Sequence, residues 1–382
     1  MYTNYYAEHT IFVDSVRKLV EAELKPRVNE WEKAGNFPDE VFRILGQQGF
    51  LGILIPEEYD GVGGDYRMAG AWCEAFGELP AVGLTTGVNM HSLVISHSLA
   101  KYGSKAAKDR WLRRAVAGEA IGAYAFSEPG AGSDLANIRT RAVREGSKWI
   151  LNGSKTFITN GARADFILVL SRNDVNAGYK GFTTFVLDTS LPGFKVNKKL
   201  DKLGWRSSDT AELTFENVEL DDSCVLGNVG DGWIQASNNL NWERMMLTLL
   251  SLGGMRAILK DSVRYAQDRK AFGKSISEFG AVSNMLQQMY MKLVTGESLC
   301  HHALDLLCEG KPCRAEVSMA KRQVCEDAIW MADRAIQIHG GYGYTTEFSP
   351  ERWWRDLRIM TIGGGTSEIM ANIVVKEMEL LG

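Results

Sequence analysis

No stretch of the 382 residues reaches 18 uninterrupted apolar positions, so the sequence offers no candidate membrane-spanning helix. The six cysteines, at 73, 224, 300, 308, 313 and 325, never fall in C-x2-C spacing. They read as scattered thiols of a reducing compartment, and the length excludes a small disulfide scaffold. Net charge is only -4, from 47 acidic and 43 basic side chains. There is no global positive field, and nucleic acid is not an expected partner. The opening MYTNYYAEHT has no basic stretch followed by an apolar one. A cytoplasmic enzyme is therefore expected, with a processed organellar protein as the alternative. Cys300, His301, His302, Cys308 and Cys313 form one group of soft ligands, but neighbouring His301 and His302 project differently from a helix. Ordinary helix packing is expected there, and no metal.

What is present is ordinary for a folded chain: 45% hydrophobic, 24% charged, and rich in glycine at 39 residues, which argues against extensive disorder. The rhythm of apolar residues divides the chain in three. Helical spacing predicts helices over 11–31, with Pro26 starting or kinking a turn, then over 38–50, 67–76, 87–102 and 105–117, around a loop at 56–65. From 121 to about 220 the period shifts toward two. Strands are expected at Ile121–Ser127, Ile138–Val143, Lys148–Leu151, Phe166–Leu170, Thr183–Leu187, Phe194–Lys199 and Ala211–Phe215, with Asn152-Gly153 and Asn160-Gly161 read as turns. Without long crossover helices this is a compact β domain and not a Rossmann fold. Helical spacing then resumes at 233–250, 252–268, 278–307, 314–338 and 366–379. In the second of these, Met255, Ile258, Leu259, Val263 and Ala266 form an inward stripe, while Arg256, Lys260, Asp261 and Arg264 face water or a partner. The fold class is α+β, with an N-terminal helical domain 1–120, a central β domain 121–232 and a C-terminal helical bundle 233–382.

Several passages have the residue types of a site. YAFSEPGAGSDLA, 124–136, ends a strand in glycines and hydroxyls, which suits either a tight turn or close approach of a flat or phosphorylated ligand. Its G-A-G is not a dinucleotide fingerprint. QIHGGYGYTTEFSP, 337–350, reads as a helix terminus or as an anion-contacting concavity of backbone amides. In TIGGGTSEI, 361–369, Thr366 is a candidate N-cap whose neighbouring amides suit a phosphate or carbonyl oxygen. Glu243 and Arg244 interrupt an apolar helical passage, and two readings stand: a structural ion pair, or a buried carboxylate with altered proton affinity.

Together YAFSEPGAGSD, NGSKTFITNG, RKAFG, QIHGGYGY, WRDLR and GGGTSEIM, in that order over nearly the whole chain, resemble the acyl-CoA dehydrogenase family. The resemblance implies FAD held between the domains and a homotetramer whose neighbouring subunits help enclose it. Tyr124, Phe126, Ser127 and Ser133 match the flavin and substrate signature, and Phe157, Ile158 and Thr159 match the stretch beside the isoalloxazine. Phe157 stands where relatives often have Trp, and either ring can pack on a flavin. Arg269, Phe272, Gln337, Gly340 and Gly341 match the diphosphate or adenine side, often across a dimer interface, and Thr366 and Glu368 match a further dinucleotide-contacting segment.

Many relatives have their catalytic Glu where this chain has Gly364. Long-chain, branched-chain and isovaleryl-like members instead place it in an E-R pair on the earlier helix, which Glu243-Arg244 matches. The resemblance thus implies Glu243 as the base that removes the pro-R α proton of an acyl-CoA. Hydride passes to the flavin, giving a trans-2-enoyl-CoA, and electrons go on to electron-transfer flavoprotein. The backbone N–H of Gly364 would polarise the thioester, Arg244 would orient the substrate, and Ser133 would contact it. Met245, Met246 and Leu247 suit either an acyl tunnel or core packing. Two other enzyme readings stay open, an enoyl-thioester reductase and a dehydrogenase of acyl-carrier-protein thioesters. So does a noncatalytic acyl-CoA-binding or redox-assembly protein.

Overall fold

A computed structural model describes residues 5–379. The first predicted helix is there, but its path changes pitch. Helix α1 (Thr10–Leu19) runs through a π turn, Val20–Leu24, and a 3-10 turn, Lys25–Arg27, into α2 (Val28–Ala34). Pro26 sits in the tight turn, where its missing N–H is least costly. Next come α3 (Glu40–Gln47), α4 (Tyr66–Phe76), and a path begun by α5 (Val82–Asn89) that passes through a π segment, Met90–Ser96, to α6 (His97–Tyr102). This path starts at Val82 and not at Gly87, because Thr85 and Thr86 are buried polar residues that hid the apolar face. Helix α7 (Lys105–Val116) follows, capped by the Ser104 hydroxyl on Ala107 N.

The central sheet contains β1 (Gly122–Ala125), β2 (Arg141–Glu145), β3 (Lys148–Thr159), β4 (Phe166–Arg172), β5 (Phe182–Asp188), β6 (Phe194–Lys199) and β7 (Thr210–Leu220). Its order is β1-β4-β2-β3-β7-β6, with β5 also on β4. Strands β1 and β4 pair in parallel, although a hairpin and not a crossover helix lies between them in the chain. One expectation fails in an informative way. Strand β3 does not end at Leu151, and Asn152-Gly153 is no turn. A β-carbon on Gly153, whose φ is +149°, would meet Thr140 Oγ1 at 2.5 Å, so this glycine permits a bulge where β3 shifts register against β7. A second shift falls between Lys155 and Ile158, where Phe157 adopts a φ of +61°.

The C-terminal third opens with α8 (Gly232–Asp268), a single helix of 37 residues and roughly 55 Å. The sequence reading divided it at Ser251. Its central glycines are contact residues and not breakers: a β-carbon on Gly253 would lie 2.2 Å from the Glu74 carbonyl, and one on Gly254 3.0 Å from the Trp353 ring. Along α8, Met255, Ile258 and Ala266 are buried as expected, Leu259 and Val263 only half so. Arg256 contradicts the outward assignment. It pairs with Glu74 at 2.8 Å and Glu297 at 2.6 Å in a buried cluster. Burial opposes ionisation of Glu74, but Arg256 together with hydrogen bonds from His301 and Tyr6 outweighs it and holds that carboxyl at about 2. His301 also stacks on Tyr5 at 3.8 Å. Among the described residues no group of three or more His, Cys, Asp or Glu is placed to hold a metal.

A short hairpin, β8 (Lys270–Ala271) and β9 (Lys274–Ser275), leads to α9 (Gly280–Cys308), α10 (Arg314–His339), α11 (Pro350–Leu357) and α12 (Ser367–Glu377). One apolar core joins the N- and C-terminal helices through Val16, Trp72, Leu249 and Ala328, while the sheet has its own around Leu151, Ile158, Ile167 and Phe185. Three hydrogen bonds tie the regions at one junction: Gly122 N to His91 Nδ1 (3.0 Å), Asn160 Nδ2 to Gly87 O (2.8 Å) and Trp242 Nε1 to Leu93 O (3.0 Å). Among the described residues no helix is long and apolar enough to cross a membrane.

Candidate active site

Helix α8 places Glu243 where the sheet and the C-terminal helices meet. The side chain is half-buried. Desolvation raises its carboxyl to about 7, against the lowering effects of Arg244 and Lys321. Arg244 is buried, and its Nε donates to the carbonyl of Gly364 at 3.0 Å. Glu243-Arg244 is therefore not a surface ion pair. The guanidinium is turned to main chain, and among the described residues the carboxylate has no ionic partner within ion-pair distance.

Gly364 stands directly opposite. Its φ is +67°, a conformation that favours glycine. An added β-carbon would lie 3.0 Å from Leu247 Cδ1, 3.5 Å from Lys321 Cε and 3.7 Å from Glu243 Oε1. The preceding 3-10 turn, Arg358–Thr361, absorbs the N–H groups of Ile362 and Gly363 on the Ile359 carbonyl. The Gly364 N–H has no protein acceptor among the described residues. Beyond it Thr366 caps α12, as expected, by accepting from Ile369 N at 3.2 Å.

Tyr124 closes the same space from β1. It is buried, accepts from Asn239 Nδ2 at 3.1 Å, and lies 4.0 Å from the Phe126 ring. Burial pushes its hydroxyl up, with the neighbouring Glu243 charge adding to the effect. Ser127 accepts through its carbonyl from Thr156 N at 3.0 Å, which brings the signature segment against the kinked end of β3. There Phe157 is 69% exposed and Thr159 half-buried, whereas Ile158 is only 2% exposed and points into the sheet core. The register shift separates the three: the side chains of Phe157 and Thr159 reach the surface, and that of Ile158 does not. Ser133 lies exposed in the following loop.

The remaining expected residues form a second group. Arg269 and Phe272 sit on the β8–β9 hairpin, with Phe272 96% exposed. Gln337, Gly340 and Gly341 are exposed at the end of α10, joined to that region by Tyr265, which stacks on His339 at 4.1 Å and donates to its carbonyl at 3.2 Å. Gly340 has a φ of +61°, and β-carbons on Gly340 and Gly341 would meet nothing within 4 Å, so this main chain is open to a ligand. Along α8 this group is roughly 39 Å from Glu243, farther than one dinucleotide extends. Thr366 and the exposed Glu368 stay on the Glu243 side.

Sequence reasoning missed Lys321 and Lys155. Lys155 is buried and donates to Phe126 O (2.8 Å) and Glu128 Oε1 (3.0 Å). Glu128 in turn accepts from the Arg139 and Thr140 amides, so the signature loop is bound to the sheet. Lys321 carried a readable signal. It falls on the α10 stripe of Val317, Val324 and Ala328, where a charged side chain is unexpected without a function.

Comparison with known proteins matches this arrangement. Family models for the acyl-CoA dehydrogenase N-terminal, middle and C-terminal domains match residues 6–119, 123–218 and 230–379. The chain is 35% identical to the rat mitochondrial long-chain specific acyl-CoA dehydrogenase, over 97% of this chain and 86% of that one. It is 34% identical to a 3-(aryl)acrylate reductase of Clostridium sporogenes, over 97% of this chain and 98% of that one. Among solved structures it is similar to an acyl-CoA dehydrogenase from Geobacillus kaustophilus, with a TM-score of 0.94 at 35% identity, covering 97% and 98% of the two chains. It is also similar to an FAD complex of PigA, with a TM-score of 0.96 at 26% identity and full coverage of both. Three matched domains in sequence order, and a fold shared end to end, place this chain in the acyl-CoA dehydrogenase family.

Proposed function

We propose that the chain is an FAD-dependent acyl-CoA dehydrogenase that converts an acyl-CoA thioester to a trans-2-enoyl-CoA, with Glu243 as its base. The observation that supports this most is the position of Glu243 Oε1 beside the site of a β-carbon on Gly364. The chain has no carboxylate at 364 but has one beside it from α8.

The residues present fit a flavin. Phe157 exposes its ring on a kinked strand, Thr159 follows two residues on, the Ser127 carbonyl binds the Thr156 amide next to it, and Tyr124 and Phe126 stand together on the neighbouring segment. Ser133, Thr366, Glu368 and the main chain of Ile158 are assigned to the same flavin by the family motifs they match. Bound FAD supplies the acceptor for the hydrogen that leaves the β carbon as hydride.

Glu243 takes the α proton onto its carboxylate. With a proton affinity near neutrality it is a far stronger base than a solvated glutamate, which acid–base catalysis at physiological pH requires. The Gly364 N–H donates to the thioester oxygen as negative charge develops there. Arg244 holds the Gly364 carbonyl, which anchors the residue that carries the donor, and lies where it can orient the substrate. Met245 and Leu247 on the same helix are buried, and Leu247 reaches the Gly364 turn, so it borders the acyl chain.

Arg269, Phe272, Gln337, Gly340 and Gly341 are assigned to the diphosphate and adenine of an FAD bound mainly by a neighbouring copy of the chain, since roughly 39 Å of helix separates them from Glu243. A homotetramer provides such neighbours. The three domains are taken to divide at 120 and 232. Electron-transfer flavoprotein is the proposed acceptor and the cytoplasm the proposed compartment.

Reduction of an enoyl thioester is a second reading, favoured by the similarity to the aryl-acrylate reductase. Anaerobic flavin bleaching by a panel of straight, branched, aromatic and dicarboxylic acyl-CoA esters tests the first; reoxidation of reduced enzyme by enoyl-CoA, faster than the forward half-reaction, would favour the second. Glu243→Gln should retain FAD and bleach about 100- to 10,000-fold more slowly with the best ester. Bleaching within about twofold of wild type would remove Glu243 as the base.

A further inference from the structure

Lys321 is buried in the middle of α10, 1% exposed, yet among the described residues it has no carboxylate within ion-pair distance. A lysine in such a place must have its ammonium satisfied or lose its charge. Its Nζ donates to two main-chain carbonyls, Met360 at 3.0 Å and Gly365 at 2.7 Å. These carbonyls bracket the turn that contains Gly364. After the 3-10 turn the chain runs through Gly363, Gly364 and Gly365, which belong to no helix or strand whose own backbone ladder would hold them. Arg244 binds the carbonyl between them, that of Gly364, from the opposite helix.

We propose that Lys321 is a positioning residue of the dehydrogenation site, which with Arg244 clamps the 360–365 turn from two helices and so holds the Gly364 amide against Glu243. This rests on the reading of Glu243 as base and Gly364 as amide donor. Three glycines with φ of +67° and +113° at the last two have many alternative conformations, and the turn needs external bonds to keep one of them. Without the bond at Gly365 the φ and ψ of Gly364 and Gly365 lose an anchor, and the Gly364 amide is free to turn from the thioester with them.

Lys321 also acts on Glu243 through space. The groups facing that carboxylate are Arg244 on α8, Tyr124 on β1 and Lys321 on α10, with Arg314 on α10 beside Arg244. Tyr124 remains neutral and Arg244 is fixed on Gly364 O. Lys321 thus provides one of two positive charges that oppose desolvation of the base. Removing it should shift Glu243 further toward its protonated form, so that more alkaline pH is needed for proton abstraction. A lysine that only filled space would leave the pH profile unmoved.

Lys321→Met and Lys321→Gln holoproteins decide the matter, compared with wild type and Glu243→Gln by anaerobic flavin reduction across pH 5.5–9.5. Both should retain FAD, shift the midpoint of the rate profile to higher pH by about one unit, and lower the limiting rate by roughly tenfold. Gln retains a donor to one carbonyl, so its limiting rate should fall less than that of Met while its midpoint moves equally. If Glu243→Gln is inactive but both Lys321 variants keep the wild-type midpoint and limiting rate, the proposal is overturned and the base assignment stands. If Glu243→Gln bleaches normally, the base assignment itself fails. Failure of both Lys321 variants to yield soluble, FAD-containing protein would also overturn the proposal, by marking Lys321 as a residue of the fold.

Discussion

Glu243 and Gly364 lie 121 positions apart in the chain, yet a β-carbon on the glycine would stand 3.7 Å from the glutamate's Oε1. Helix α8 and the turn before α12 therefore bring a carboxylate beside a glycine whose N–H has no protein acceptor among the described residues. A side chain on residue 364 would compete for the space that the base occupies. The absence of a carboxylate there and its presence on α8 are two aspects of one arrangement.

Gly364→Ala tests that arrangement. The substitution forces a positive φ on alanine and brings its methyl to 3.0 Å from Leu247 Cδ1. Folding stability should fall by about 1–2 kcal/mol. Flavin reduction should slow by more than about tenfold, because the amide or the carboxylate must shift. A variant as stable and as fast as wild type in chemical denaturation and stopped-flow reduction would show that the turn has room to spare.

The raised proton affinity of Glu243 also predicts an effect on stability. The unfolded chain releases this proton near its ordinary value of 4.5, the folded chain only near 7. The folded state holds the proton more tightly, so this group's contribution declines as pH rises through that window and stays low above it. The upper bound is about 3 kcal/mol, reduced by the residual exposure of the side chain. Glu243→Gln should thus melt above wild type by roughly 2–4 °C at pH 8 and close to it at pH 5. Equal differences at both pH values in scanning calorimetry would contradict the burial of this carboxyl.

Lys155→Met should destabilise the protein by about 3–5 kcal/mol, since it leaves Glu128 buried without its cation. The lysine also holds the Phe126 carbonyl, so flavin retention in gel filtration should weaken as well. Wild-type stability together with full flavin content would count against this account of the signature loop.

Glycine to alanine inside a helix ordinarily stabilises by about 1 kcal/mol. At Gly253 the sign should reverse. An alanine methyl would be pressed to 2.2 Å from the Glu74 carbonyl, and the crossing of α8 over α4 would open, at a cost of about 1–3 kcal/mol. A urea midpoint at or above that of wild type would refute the close-contact explanation.

The division into helices, strands and helices was legible because apolar period follows secondary structure directly. The errors share one cause. Asn152-Gly153 looks like a turn to local rules, and α8 was divided at Ser251 beside Gly253; in the fold both glycines let two backbones approach, at Thr140 and at Glu74. Whether a glycine ends an element or packs one depends on a neighbour distant in sequence. Arg256 was misplaced for the same reason, since its partners Glu74 and Glu297 come from other helices.

The chain by itself determined the order of its elements and, through ordered motifs, the residues at which chemistry was to be sought, because such information lies in side-chain type and spacing. Tertiary structure alone decided that Glu243 faces Gly364, that Ile158 turns away while Phe157 and Thr159 do not, and that Lys321 binds the glycine turn. These are properties of distance and solvent exclusion, and neither exists until the helices and the sheet close on one another.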